Sequence, residues 1–506
     1  MIVRQKQKTM AEAAAMVSDG DVFALNGMGH SATGWAIFKE IEARFLETGH
    51  PQNLTLYSAC GVGDASGQFC HMQHLAHSGL IRRLIVGHWE AYRAFTDLLK
   101  QNEMEGYVIS QGILSILFGE IAAGKPGYLS KVGLYSFVDP RFGHCGFKND
   151  ISTECMVEHV EFKGEEYLYY KAVPPNVCVL QGSYADQNGN ISFENETLVN
   201  DALSMAMAAH NNKGKVIVLV EKIDEKAHFN AHRVCVPGFL VDAIVVNESY
   251  VQAYPLFPFN ESVCGKVLLD EEEAVALIND LSKHYKKDYD IRRVIARRAA
   301  LEIRPNDVVN LGLGIPVETA TERRHMGLID DSVTLTLEVG AAGGMPIPVF
   351  FGTVINPLAI YEQASQFRFY EGGGLDIGIL GALEVDRHGN VNVSQAGGLL
   401  AGLGGFPYIA YSSTRLVFCL KFGTGPTKKF VNQVELVTMN ADFHRRLGKS
   451  ILYVTERCVF RLIDTGLELI EIAPGVDLQR DILDHMEFLP AIASKLKTMP
   501  AVCFET

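Results

Sequence analysis

One order of events occurs twice along this chain, and any fold that satisfies one copy has to accommodate the other. In the first copy a helical period from Met10 to Val17 leads into DVFALNGMG, with Asp21, Gly27 and Gly29. In the second, Ile291 to Ile303 leads into DVVNLGLGIP, with Asp307, Gly312, Gly314 and Pro316. A further pair matches more tightly. GSYADQNGNIS (Gly182 to Ser192) and GALEVDRHGNVNVS (Gly381 to Ser394) share an Asp-x-x-Gly-Asn core, at Asp186, Gly189 and Asn190 and again at Asp386, Gly389 and Asn390. Between apolar runs this core is a tight turn, in which glycine supplies positive φ and the Asx side chains bond their own backbone. Two unrelated hairpins would give the same local pattern; their matching places in the chain favour a duplication.

Short β-branched runs such as KVIVLV (Lys215 to Val220) and RLVFCL (Arg415 to Leu420) alternate with helical periods, the pattern of parallel sheets covered by helices. The predicted fold is therefore α/β, with two tandem related open α/β domains. The charge-dense stretch from Leu268 to Asp290 reads as a surface helix and linker, with a boundary near residue 280. It divides a first half, residues 1–275, from a second half, residues 276–506. With 48% hydrophobic and 21% charged residues, 506 residues can bury a large core, which excludes disorder and coiled coil. A net charge of -14 argues against nucleic acid as partner, because affinity for phosphate backbones comes from clustered Lys and Arg. Ten cysteines without a C-x-x-C pair argue against structural zinc and a dense disulfide framework, and are expected to be reduced and mostly buried. No apolar stretch has the length of a signal peptide or of a bilayer span, so a cytoplasmic protein without membrane partners is expected, and the sequons at Asn53 and Asn195 read as chance matches.

Chemistry concentrates in the second half. Gly312-Leu313-Gly314 follows a strand and precedes a helix opening at Pro316, a geometry that offers backbone N–H groups to an anion. The third glycine of a dinucleotide fingerprint is replaced by Val317, which weakens that reading. In DSVTLTLEVGAAGGMP a strand runs into Glu338 and then into five tiny residues out of six. Small neighbours let a bulky ligand approach, so Glu338 reads as a nucleophile or base; the alternative is a solvated glutamate at a strand end. Gly372 to Gly374, the loop Gly402, Gly404 and Gly405, and Gly423 and Gly425 with Lys428 and Lys429 read either as turns or as backbone donors lining a cleft. Gln111, ending another apolar strand, reads as a side-chain amide donor or as a turn residue.

The triplet His71, His74 and His77 does not converge on one helix face and has no acidic ligand beside it, so no metal is expected. Arg292, Arg293, Arg297 and Arg298 lie at helical spacing and read as a solvated face. The G-x-S-x-G, H-E-x-x-H and G-x-x-x-x-G-K-[ST] motifs do not occur.

Taken in order, DVVNLGLGIP, TLTLEVGAAGG, ASQFRFYEGGGLD, EVDRHGNVNV and GLGGF resemble family I coenzyme A transferases, and the first half adds VISQG, SFVDPR, EYLYYKAVPP and GSYADQNGNIS. The resemblance runs from about residue 10 to about residue 500 and is closest to single-chain acetate or propionate enzymes that fuse α and β halves. It implies a short-chain acyl-CoA:carboxylate CoA-transferase working by ping-pong through a glutamyl-CoA thioester, with Glu338 catalytic. Gln111 and the Gly402–Gly405 loop would be oxyanion donors, and Gly312 to Pro316 would lie near the thioester. Lys428 and Lys429 are the candidate phosphate contacts. Coenzyme A would be a substrate, with no permanently bound cofactor and no metal, and small carboxylic acids the partners. The fused chains of the family imply a homotetramer or homodimer. An acyl-CoA hydrolase using the same intermediate, or a non-catalytic CoA-binding protein on the same scaffold, are the alternatives. Phe350 and Phe351, or His88 and Trp89, are candidates to flank the acyl group, or core residues.

Overall fold

The computed structural model describes residues 2–63, 71–142, 145–146, 149–282, 289–328, 330–348, 350, 352–396, 399–423 and 427–505. Two large sheets organise the chain. In the first, the strands Ala243–Val246, Lys215–Ile223, Val177–Ala185, Val22–Leu25, Leu54–Ser58, Ile81–Val86 and Glu105–Val108 lie side by side in that order, all parallel. In the second, Thr334–Leu337, Val308–Leu311, Ile377–Gly381, Arg415–Cys419 and Ser450–Val454 form the parallel centre. Antiparallel Cys458–Ile463 and Gly466–Ile472 extend that sheet towards the edge strand Ala491–Thr498. The central strands are almost fully buried, as expected when helices cover both faces.

Matching strands hold matching places in the two sheets, and the repeated motifs form the same bonds. Asp21 accepts from the Ser18 amide and Asp307 from the Arg304 amide, each at 2.7 Å. The next strand is tied on identically, Thr55 N–H to Asp21 O and Thr334 N–H to Asp307 O, both at 2.9 Å. In the two Asp-x-x-Gly-Asn turns the aspartate Oδ1 accepts from the amides two and four residues on, at 2.9 Å for Asp186 and 3.0 Å for Asp386. Gly189 and Gly389 have φ of 76° and 86°. Even the outer contact repeats: Asn190 Oδ1 receives the Gly238 amide and Asn390 Oδ1 the Ala441 amide.

Three expectations need correction. The cysteines are not all reduced, because Cys145 and Cys155 are joined in a disulfide; the remaining described cysteines are free. The helix Glu271–Ser282, which spans the 275/276 position, is no bare surface element: Ala274 and Ile278 are buried against Met345, Ile347 and Ile355 of the second half. The four arginines are not a solvated face either. Arg297 and Arg298 are 7% and 5% exposed and pair with Glu322 and Glu471, while Arg292 pairs with Glu318. No described helix is long and apolar enough to cross a membrane.

Candidate active site

The loop Gly402–Gly405 of the second half docks on Gly87–Trp89 of the first, and this junction builds the site. His88 and Gly402 form an antiparallel bridge, Trp89 N–H bonds Ala401 O at 3.0 Å, and the amides of Leu403 and Gly404 both donate to Gly87 O. Only glycine fits here. Gly402 and Gly404 have φ of 93° and 54°, and a Cβ on Gly404 would come within 2.4 Å of the His88 ring.

Across this loop stands Glu338. It follows the strand Thr334–Leu337 and begins a tight hairpin that returns at Ala341, with Gly340 at φ 93° passing close to Tyr361 O. Glu338 is 4% exposed, so it is no solvated strand terminus. Burial pushes its carboxyl up to about 7, against the opposing pull of its own backbone amide and Asn310. Its Oε2 accepts no hydrogen bond from the described residues. Gly405 packs directly on it: a Cβ there would lie 3.0 Å from Glu338 Cγ. The Gly404 N–H is engaged by Gly87 O at 2.8 Å, whereas among the described residues the Gly405 N–H makes no such bond. An unpartnered carboxylate oxygen and an amide free of backbone partners therefore belong to two residues in direct contact, and an amide of this kind can stabilise a developing oxyanion.

Gln111 is buried behind this loop rather than in the cleft. Its backbone amide donates to Gly404 O at 2.9 Å and its Nε2 to Gln363 Oε1 at 2.9 Å. Gln363 Oε1 also receives Asn200 Nδ2 and the Cys60 thiol, which burial keeps protonated, and Gln363 Nε2 donates to buried Asp201 at 3.1 Å. With Gln363 fixed so, Gln111 must turn Oε1 towards His88 Nε2, 3.0 Å away, and that nitrogen must carry a proton. The chain Asp201, Gln363, Gln111, His88 thus sets the tautomer of a ring that borders the cleft. Gln363 and Asp201 had no sequence signal, since isolated amides and acids at helix starts are common.

The cleft has a volume of about 530 Å³ and is lined by Gly312, Leu313, Gly314, Glu338, Gly402–Gly405 and His88. The helix Ile315–His325 begins beside it, capped by Gly314 at φ 89° with Pro316 in its first turn. Arg292, Lys421 and Lys429 supply the cations. Lys428 is exposed and donates to Met486 O at 3.0 Å, so of the two candidate lysines only Lys429 borders the cleft. Burial, with Lys421 nearby, lowers the Lys429 ammonium pKa. Gly372 to Gly374 end the helix Gln363–Glu371 outside the cleft lining. Gly425 and Phe351 lie outside the described residues. Of the histidine triplet, His74 and His77 share Glu42 at 2.5 and 2.6 Å, an acidic partner that the local sequence did not reveal, and His71 stacks on Trp35.

A buried strand-end carboxylate facing a glycine-rich loop, beside a cleft with cations, is chemically suited to acyl transfer on an anionic ligand. Comparison with known proteins agrees. The family model for coenzyme A transferase matches residues 7–247. Caffeate CoA-transferase of Acetobacterium woodii is 39% identical over 97% of this chain and 96% of its own length. Acetate CoA-transferase YdiF of Escherichia coli O157:H7 is 37% identical over 90% and 87%. A crystal structure of that acyl-CoA transferase, a thioester complex with CoA, superposes with a TM-score of 0.90 at 34% identity over 98% and 96% of the two chains. The chain belongs to the coenzyme A transferase family.

Proposed function

We propose that this protein transfers coenzyme A between carboxylic acids, with Glu338 as the covalent relay. The observation that carries this reading is the buried Glu338 carboxylate, with Oε2 unpartnered, packed against Gly405. Moving CoA from one carboxylate to another without a nucleotide needs a third carboxylate to hold activated intermediates. Glu338 attacks the acyl-CoA carbonyl carbon; the carbon–sulfur bond breaks, leaving an acyl-glutamyl anhydride and CoA thiolate. The thiolate attacks Glu338 Cδ, the anhydride C–O bond breaks, and the first acid leaves as its carboxylate. The glutamyl-CoA thioester then accepts an incoming carboxylate, and the same two steps in reverse form the new acyl-CoA and restore Glu338. No proton is gained or lost.

Each tetrahedral oxyanion would be met by the Gly405 N–H, a donor of this kind contributing about 3 kcal/mol. Gln111 from behind and His88 from the border of the cleft would hold the loop that presents it. Gly312 and Gly314 would line the path of the pantetheine arm, and Lys421, Lys429 and Arg292 would hold the phosphates, so the rest of the surface can stay acidic. Binding energy gained along that arm can be used at the reacting carbon. The division into halves 1–275 and 276–506, the second carrying Glu338, belongs to this reading, as does the need for both halves at the Gly402–Gly405 junction.

Initial rates test it. Varying acyl-CoA at several fixed acid concentrations should give parallel double-reciprocal lines, and CoA release without an acceptor acid should be much slower than transfer. Intersecting lines, or release at the same rate without acid, would favour a sequential enzyme or a hydrolase respectively.

A further inference from the structure

A second cavity of about 200 Å³ adjoins the cleft and shares His88, Glu90 and Leu313 with it. Met28, Ala91, Ala253, Tyr254 and Phe350 give it mostly apolar walls. The Tyr254 and Phe350 rings pack at 4.8 Å, and Phe257 supports Phe350 from behind at 5.5 Å. Met28 is buried in one cluster with Leu337 and Val339, the residues on either side of Glu338, so the chamber lies beside the strand end that carries the carboxylate and opens towards it through the cleft they share.

Its size decides what it suits. At about 30 Å³ per water-sized group the chamber has room for about seven such groups. The carboxyl of an acid substrate must lie at Glu338, so acetate would place a single methyl here and leave most of an apolar space unfilled. Each methylene that leaves water for such walls contributes about 0.8 kcal/mol. Aromatic walls favour flat tails in addition.

Resting on the transfer reading above, we infer that this chamber binds the tail of the acid substrate and selects monocarboxylic acids with apolar branched or flat tails well beyond propionate in size. Two chain segments set the limit. Ala253 leaves room in the wall, and the Phe350 ring closes it.

The test uses the full-length protein and a series of acetate, butyrate, 3-methylbutanoate and 3-phenylpropanoate. CoA transfer from one acyl-CoA is measured for each acid, and binding of each acid to the uncharged protein by calorimetry. The wild type should prefer the two larger acids over acetate by at least tenfold in kcat/KM, a discrimination of the size a few methylenes supply. Ala253→Leu should lower that preference at least tenfold. Phe350→Ala should raise kcat/KM for 3-phenylpropanoate relative to 3-methylbutanoate. Opposite shifts in the two variants cannot come from general misfolding, and a melting curve for each excludes it. Preference for acetate, with ratios unmoved by either variant, would overturn the inference while leaving CoA transfer standing. Variant-dependent binding of the large acids without transfer to any of them would support the chamber and sink the transfer reading instead.

Discussion

The side chain of Glu338 lies against the α-carbon of Gly405 so closely that one added methyl would stand 3.0 Å from its Cγ and 3.3 Å from its Cδ. Gly405 itself has φ of -80°, a conformation alanine adopts without strain. Gly405→Ala should therefore fold normally and displace only the carboxylate. We expect kcat to fall about 100-fold, the effect of a displacement near 1 Å in an active site, with a melting midpoint within about 4 °C of wild type. Steady-state rates and calorimetry check both halves of the expectation.

Glu338 also links activity to stability through pH. Its carboxyl is raised to about 7 by burial, so the folded protein keeps a proton that the unfolded chain has already lost. Folding stability from this group is thus present at low pH and falls as pH rises from the unfolded value towards about 7. Buried Asp201, raised to about 7, and Glu196, raised to about 8, act in the same direction. Glu338→Gln should abolish transfer yet stabilise the protein at pH 8, by at most about 3 kcal/mol. Attack on acyl-CoA by the free enzyme should accelerate with pH through about 7 and then level off. Urea titrations at pH 5 and pH 8 and a pH profile of kcat/KM measure these effects.

Gln111 joins the helix start to the glycine loop and His88 to Gln363. Gln111→Ala would leave the half-buried His88 Nε2–H without its partner, at about 1 kcal/mol, while Gln363 Oε1 keeps Asn200 and Cys60 as donors. The loop would keep its bond from the residue-111 backbone amide but lose the fixed His88 ring that packs on Gly404. We expect kcat to fall about 100-fold, with a smaller change in the KM for acyl-CoA, because the lost contact supports the reacting centre rather than the cofactor's distant end.

Lys429 and Lys428 should behave differently although adjacent. Lys429→Ala should raise the KM for acyl-CoA about tenfold at low salt and less at high salt, as expected for a screened phosphate contact. Lys428→Ala should leave the KM within twofold, since its ammonium faces Met486 O outside the cleft. Initial rates at two ionic strengths decide this.

The fold was legible wherever the signal was local. The two Asp-x-x-Gly-Asn turns and the two Asp-strand starts carry their own bonds within a few residues, so their repetition showed in the sequence and reappears atom for atom in the structure. Glu338 was legible because the tiny residues after it have a steric purpose at a strand end. What depended on distant partners was hidden. Arg297 and Arg298 look like a charged surface until Glu322 and Glu471 are placed opposite them. Glu42 lies far along the chain from His74 and His77, and Gln363 from Gln111, so no spacing announces either contact. The Cys145–Cys155 bond escaped for a different reason: a separation of 10 residues in a loop matches no recognised motif. Lys428 and Lys429 could not be told apart because only the turn of the backbone decides which one faces the cleft.

The central claim is that one carboxylate carries the coenzyme between its two partners, and intact mass followed by peptide mapping tests it most directly. Protein mixed with acyl-CoA alone, without acceptor, and quenched in acid should gain the mass of CoA less one water on the peptide that contains residue 338, and the adduct should vanish when a carboxylic acid is added. A wild-type enzyme that turns over while this peptide stays unmodified, or an adduct on another residue, would contradict the account.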